Sequence, residues 1–253
     1  MCAECAEWGR YEELRPDQLQ HIVAATPVAY WPLGLLEHHG WHLPVGFDGV
    51  KADRLCVRMV ERTGGVVLPV MWWGGGGGHG DFKWTLYQPT EAPRRVLETT
   101  LPKLISFGFR AIVLPAGHYP WRAILEEVLP PLREGNPDVL FLAGTEMELG
   151  RPDVKLPGDH AARWETAYGL ALLPQLVEMD ALREGRSETG AWPDHGPPPE
   201  ADRHQHVRFD AGEPLFAQAG EDARRADGQD AARLLDALVE AVTGRVERHL
   251  TGA

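Results

Sequence analysis

Apolar residues in this chain fall into short blocks, separated by longer stretches in which apolar and charged positions mix with helical spacing. The block Val28-Ala29-Tyr30-Trp31-Pro32-Leu33-Gly34-Leu35-Leu36 reads as a buried strand, disturbed at Pro32, that delivers Glu37 at its carboxyl end. Asp48 then stands where a helix cap is expected, ahead of Val50, Leu55, Val57 and Val60, and Gly64-Gly65 stops the helix. A strand is predicted over 66–71. Val96, Leu97, Leu101, Leu104 and Ile105 predict a helix over 89–107, closed by Gly108. The block Ala111-Ile112-Val113-Leu114 predicts a second buried strand, ending at Pro115-Ala116-Gly117-His118. A helix over 121–129, a strand over 139–142 and a final helix over 228–250 complete the pattern, the last placing Ala232, Leu235, Leu238, Val239 and Val242 toward a core. Such alternation predicts an α/β sandwich with a largely parallel sheet. In that architecture ligands gather beyond the carboxyl ends of the strands, where Glu37 and His118 both fall.

Composition narrows the function classes. With 253 residues, 43% of them hydrophobic, the chain suits one domain spanning 1–253. The net charge of −12 and the scattered Lys and Arg argue against nucleic acid. No apolar run approaches the roughly 18 residues of a membrane span, and Glu4, Glu7, Glu12 and Glu13 stand where a secretory core would be apolar. A soluble cytoplasmic protein that touches neither membrane nor nucleic acid is therefore expected. Of the three cysteines, Cys2 and Cys5 have the spacing of half a zinc knuckle, but no second pair follows, and Cys56 stands alone. A disulfide framework is not expected with so few thiols, in keeping with a reducing compartment. Residues 184–206, rich in Gly and Pro and including Pro197-Pro198-Pro199, are expected to form a surface loop or lid. The five glycines Gly74 to Gly78 lack the Lys-Ser or Lys-Thr that a phosphate loop requires. They suit a close-approach loop beside a site, with Trp72, Trp73, Phe82 and Trp84 walling either a small-molecule pocket or an apolar edge.

The densest chemistry lies in Glu37-His38-His39-Gly40-Trp41-His42-Leu43-Pro44-Val45-Gly46-Phe47-Asp48, which gathers two carboxylates and three imidazoles around a Gly-Pro turn. Carboxylate oxygens and imidazole nitrogens are suitable ligands for zinc, manganese or iron. In extended backbone Glu37 and His39 point to the same side while His38 points away. Asp48 can bridge two cations by giving one oxygen to each, and His118 supplies a neutral nitrogen from a second strand end.

The Glu37-to-Asp48 segment resembles the opening motif of the creatininase family of metal-dependent amidohydrolases. Gly117-His118-Tyr119 resembles its second motif and His160-Ala161-Ala162-Arg163-Trp164-Glu165-Thr166 its third, with the order maintained from about 15 to 245, including the Gly212-Glu213-Pro214 turn. The resemblance implies a three-layer α/β/α sandwich, two divalent cations (zinc first, then manganese or iron) and a compact homo-oligomer. It implies that Glu37, Asp48 and His118 hold one cation while His39 and Asp48 hold the other. In creatinine-hydrolysing members a Glu two residues after the second-motif His completes the second set, but Pro120 stands there in this chain. Glu165 is the expected replacement, as in other branches. Arg163 and Ala167 also depart from the third motif, and Lys83-Trp84 replaces a frequent Pro-Gly. These departures argue against creatinine itself as the substrate.

The chemistry so implied is attack by a bridging hydroxide on an amide-like carbon, with His160 moving a proton to the leaving nitrogen. Tyr119, Trp73, Trp84 and Arg163 are the expected substrate contacts, the last through its fixed donor fork. His42 is expected beside the ligands or as a further proton carrier, His79 at an entrance, and His204 and His206 on the surface. The expected reaction is hydrolysis of a non-peptide carbon–nitrogen bond in a small cyclic amide or formamide-like compound. Two other readings stand beside it: ring opening of an oxidised cyclitol or sugar lactone, and a non-catalytic metal-stabilised binding or maturation protein.

Overall fold

The computed structural model describes residues 6–183, 190–194 and 196–252. Five strands, β1 (Trp8–Arg10), β2 (Val28–Tyr30), β3 (Gly65–Val67), β4 (Ala111–Pro115) and β5 (Leu140–Gly144), form one sheet in the order β1-β3-β2-β4-β5. Every neighbouring pair is parallel. Among the described residues six α-helices accompany them: α1 (Pro16–Ala25), α2 (Phe47–Thr63), α3 (Glu91–Ser106), α4 (Trp121–Gly135), α5 (Arg163–Leu172) and α6 (Gly228–Thr251). No helix among the described residues is long and apolar enough to cross a membrane.

Strand order dictates which face each helix covers. The steps β1 to β2, β3 to β4 and β4 to β5 run one way along the sheet, whereas β2 to β3 runs the other way. Right-handed crossovers therefore put α1, α3 and α4 on one face and α2 on the opposite face. Packing agrees, since Ile22, Leu97, Leu101 and Ile124 share a core with Ala29, Val66, Ile112 and Phe141. Leu55 and Met59 of α2 share the second core with Val28, Tyr30, Val67, Val113 and Leu142, and Tyr168 and Leu238 from α5 and α6 complete it. Successive strand residues thus alternate between two buried faces, giving the three-layer sandwich. The reversal at β2 opens a crevice beyond the carboxyl ends of β2 and β4.

Past Tyr30 the chain stays paired but irregular. Trp31 donates its N–H to Val113 (2.8 Å) and Leu33 to Pro115 (2.9 Å), while Pro32 contributes only its carbonyl, to Met71 (2.9 Å). A residue without an N–H explains why the regular strand is shorter than the apolar block. Small residues then let α2 press against this crevice. A Cβ on Gly34 would overlap the backbone of Gly49, and one on Gly117 would overlap the carbonyl of Asp48.

Several expectations need correction. Asp48 does not cap α2; the helix opens at Phe47 with Asp48 in its first turn and no side-chain cap bond. The helix over 121–129 continues through Pro130 and Pro131 to Gly135, and β1 and α1 were not anticipated. Of the expected lid, 184–189 and 195 lie outside the described residues, as do Cys2 and Cys5. Within its described part, Trp192 packs into an aromatic cluster with Phe82, Phe209 and Phe216.

Candidate metal centre

Two strand-end segments and the first turns of two helices converge in the crevice. Glu37 and His39 follow β2, Asp48 lies in the first turn of α2, and His118 follows β4, while Glu165 enters from α5. All five side chains are buried. Asp48 divides its carboxylate: Oδ1 lies 3.1 Å from His39 Nε2, and Oδ2 lies 3.4 Å from His118 Nδ1. Glu37 Oε2 is 3.0 Å from His118 Nδ1, and Glu165 Oε2 is 3.4 Å from His39 Nε2. Three groups of potential ligands result, Glu37-Asp48-His118, His39-Asp48-Glu165 and Glu37-His39-His160, each with donor atoms within 4.8 Å of one another, and Asp48 is shared by the first two. The first two gather the residues named from the sequence resemblance.

The donor atoms fit cations better than they fit each other. Glu37 Oε2, His39 Nε2 and Asp48 Oδ2 are buried without a hydrogen bond, despite their proximity across the centre. They aim at shared space, as ligands do. Each histidine has its other nitrogen anchored to a carbonyl, His39 Nδ1 to Glu37 (3.0 Å) and His118 Nε2 to Gly76 (2.8 Å). Donation to those carbonyls fixes the tautomer that leaves His39 Nε2 and His118 Nδ1 free to ligate. Tyr87 donates its hydroxyl to Glu37 Oε1 (2.6 Å), so that carboxylate too is held with one oxygen inward. Glu165 accepts from Lys51 Nζ at Oε1 (2.6 Å) and from the Ala161 N–H at Oε2 (2.8 Å). Asp159 accepts from the N–H groups of Trp164 (2.8 Å) and Glu165 (3.0 Å), which starts α5 and orients Glu165.

Burial and charge act against each other here. Burial pushes His39 and His118 down, but Asp48 with Glu165 lifts His39 well above its ordinary value, and Glu37 with Asp48 lifts His118 to about 10. Burial favours neutral Asp48, yet His39 and His118 hold it well below the usual carboxylate range. Glu165 is likewise held at about 2 by Lys51 and His39 against its burial. The carboxylates are thus ionised, and the two histidines carry protons that a cation would displace.

His160 joins Glu37 and His39 in the third group and borders the two that share Asp48. Its Nδ1 lies 3.9 Å from Glu37 Oε2, and its Nε2 lies 3.0 Å from the His38 carbonyl. Burial and the neighbouring His39 lower it to about 3, so it is neutral at pH 7. Its ring stacks on His79 at 3.6 Å. A cavity of about 210 Å³ opens over these groups, lined by Glu37, Gly77, Gly78, His79, His118, Tyr119, Pro120, His160, His204, Val207 and Ala219. The glycine loop is therefore part of the wall.

Not every expected contact reaches this cavity. Tyr119 lines it, but its hydroxyl turns inward to donate to Glu146 Oε1 (2.7 Å). Trp73 and Trp84 are 50% and 61% exposed and do not line it. Arg163 lies outside as well, paired with Glu221 (2.9 Å) and packed over Trp164. His42 is engaged with Thr166 (2.7 Å) rather than with a ligand. His204, although exposed as expected, borders the cavity beside Gly78. Tyr87, Lys51, Glu146 and Asp159 were not anticipated. Lys51 did leave a signal: Asp48, Lys51, Ala52, Leu55 and Met59 follow the 3-4 spacing of a buried helix stripe.

Comparison with known proteins gives the same assignment. The family model described as creatininase, creatinine amidohydrolase, matches residues 12–246. A creatinine amidohydrolase of Pseudomonas putida is 28% identical over 196 residues, covering 69% of this chain and 73% of that protein. A crystal structure of creatinine amidohydrolase superposes with a TM-score of 0.73 at 21% identity, covering 97% of this chain and 98% of the other. A creatininase with manganese gives a TM-score of 0.71 at 22% identity, covering 94% and 97%. A zinc–zinc form of a creatininase variant gives 0.70 at 22% identity, again covering 94% and 97%. With the family's pattern spanning nearly the whole sequence, and paired His and carboxylate sets at the strand ends, this chain belongs to the creatininase family.

Proposed function

We propose that the chain is a metal-dependent hydrolase that cleaves a carbon–nitrogen bond in a small, neutral cyclic amide or formamide-like compound. The observation that carries this reading is the division of Asp48 between two buried ligand sets directly under a small cavity. Glu37, Asp48 and His118 would hold one divalent cation and His39, Asp48 and Glu165 the other, with zinc or manganese suited to such mixed nitrogen and oxygen donors. Two cations so held would lower the pKa of a shared water and polarise the substrate carbonyl.

The remaining residues define what else is needed. His160 donates its Nε2–H to the His38 carbonyl and keeps Nδ1 toward Glu37, so it enters the reaction as a base and can return the proton to the leaving nitrogen. Tyr87 holds Glu37, and the Tyr119 ring walls the cavity. Among the described residues no Lys or Arg lines that cavity, which favours a neutral substrate over an anion. Pro120 at the cavity wall, where creatinine-hydrolysing relatives place a carboxylate, favours a different ring from creatinine.

Turnover of cyclic amides, formamides, lactones and oxidised cyclitols by the zinc- or manganese-loaded protein, resolved by product mass, tests the reading. Addition of one water with release of a new amine is expected. Turnover confined to lactones or cyclic ketones would replace it by ring opening without nitrogen. Retained metal and ligand affinity without any turnover would replace it by a binding role.

We further propose a single domain, a cytoplasmic setting and a homo-oligomer. The first is supported by α6, which packs in one core with β2 and α2; the second by the free buried thiol of Cys56. Exposed Trp73, Trp84 and Leu86 support the third, and light scattering that returns the monomer mass would contradict it.

A further inference from the structure

We infer that Lys51 is a positioning residue for the second cation: it pins one oxygen of Glu165 so that the other is presented beside His39 and Asp48. This rests on the two-metal reading. Lys51 lies in α2, three residues after the shared ligand Asp48, so both project from the same helix face one turn apart. Its side chain is 1% exposed, an unusual place for an ammonium group. Nζ donates to Glu165 Oε1 (2.6 Å) and lies 3.5 Å from Glu146 Oε1. Glu146 in turn accepts from the Tyr119 hydroxyl (2.7 Å), and that hydroxyl accepts the Asp159 N–H (3.2 Å). The network thus runs from the second ligand set to the cavity wall.

Geometry gives Lys51 a more specific task than neutralising charge. With Oε1 occupied by Lys51, Glu165 can offer a cation only Oε2, the oxygen 3.4 Å from His39 Nε2. Without the clamp the carboxylate keeps only the Ala161 N–H at Oε2, and Glu146 and Glu165 are left as buried acids with no ammonium between them. Outer contacts that orient a ligand typically contribute about 10–100-fold to metal affinity.

Calorimetric titration of the metal-stripped protein with zinc tests the inference. Lys51→Met alone leaves Glu146 uncompensated and can fail to fold, so the deciding variant is Lys51→Met combined with Glu146→Gln, which keeps an acceptor for Tyr119. Its melting temperature reports the fold, and Glu146→Gln alone serves as the control. The double variant is expected to lose about 10–100-fold at one site only, with anomalous diffraction at the zinc edge locating the loss beside His39. Parental affinity at both sites in the folded double variant would overturn the role of Lys51 alone. Equal loss at both sites would overturn it too, by reducing Lys51 to general charge balance. A parent that takes up no second cation would overturn the two-metal reading and this inference with it.

Discussion

Gly117 lies directly against the backbone of Asp48, so closely that a Cβ on the glycine would overlap the Asp48 carbonyl. The turn after β4 and the first turn of α2 are thereby held together, and with them His118 and Asp48. Gly117→Ala must push α2 away from the strand end. Overpacking of this kind costs about 1–3 kcal/mol, and here the displaced residue is the proposed shared ligand. A lowered melting temperature together with weakened zinc uptake is expected. Unchanged uptake would show that the contact does not set the ligand geometry.

Asp48 faces both His39 and His118, and its loss should be felt at both cation positions. Asp48→Ala is expected to reduce bound metal from two equivalents to less than one. Glu165→Ala, in contrast, should spare the Glu37-His118 position. Metal analysis after identical loading separates the two variants, and full occupancy in the Asp48 variant would reject the bridging assignment.

His160 touches the cavity but belongs to neither of the two Asp48-sharing ligand sets. His160→Ala should keep its metal content and lose turnover by about 10²–10⁴-fold, the usual range for removing a proton-transfer group. A variant that loses metal in parallel would make His160 a ligand rather than a proton carrier.

Acid should destabilise the fold in a defined window. Burial, aided by His39, lowers His38 to about 4 and His42 to about 3, and His79 and His160 are lowered as well. A histidine whose folded pKa lies below its unfolded value of 6.5 is protonated more readily once unfolded. Its contribution is therefore complete above about 6.5 and is lost as pH falls toward 4. Each such group changes stability by at most about 1.4 kcal/mol per pH unit. Asp159, lifted by burial to about 6, and Glu146, also raised by burial, act in the opposite direction, and His39 and His118, raised by their carboxylate neighbours, add stability as pH falls to about 6.5, so the four lowered histidines set the slope only below that pH. Melting of the metal-stripped protein should fall from about pH 6.5 to pH 5, less steeply in His42→Asn. A flat profile would contradict these buried neutral histidines.

The sequence pattern revealed those features that depend on local periodicity. Alternation along the β4 block and the strand-end positions of Glu37 and His118 follow from two-residue spacing, and the carboxylate–histidine order follows from the motif resemblance. Features decided by rotation about an axis were harder to read. Arg163 and Glu165 are two residues apart on α5, about 200° around the helix, so the turn that buries Glu165 sends Arg163 toward Glu221. Trp73 and Trp84 are aromatic residues near the glycine loop, but composition does not say which side of a loop faces the cavity. Tyr87 and Glu146 reach the centre across long sequence separations, with no local periodicity to announce them. Lys51 was the readable omission, because a lysine on an otherwise buried helix stripe needs a partner.

Anomalous diffraction at the zinc absorption edge, on crystals of the zinc-loaded protein, decides whether Asp48 bridges two cations. Two peaks are expected in the crevice, one among Glu37, Asp48 and His118 and the other among His39, Asp48 and Glu165, with Asp48 touching both. A single peak, or none in contact with Asp48, would contradict that bridge.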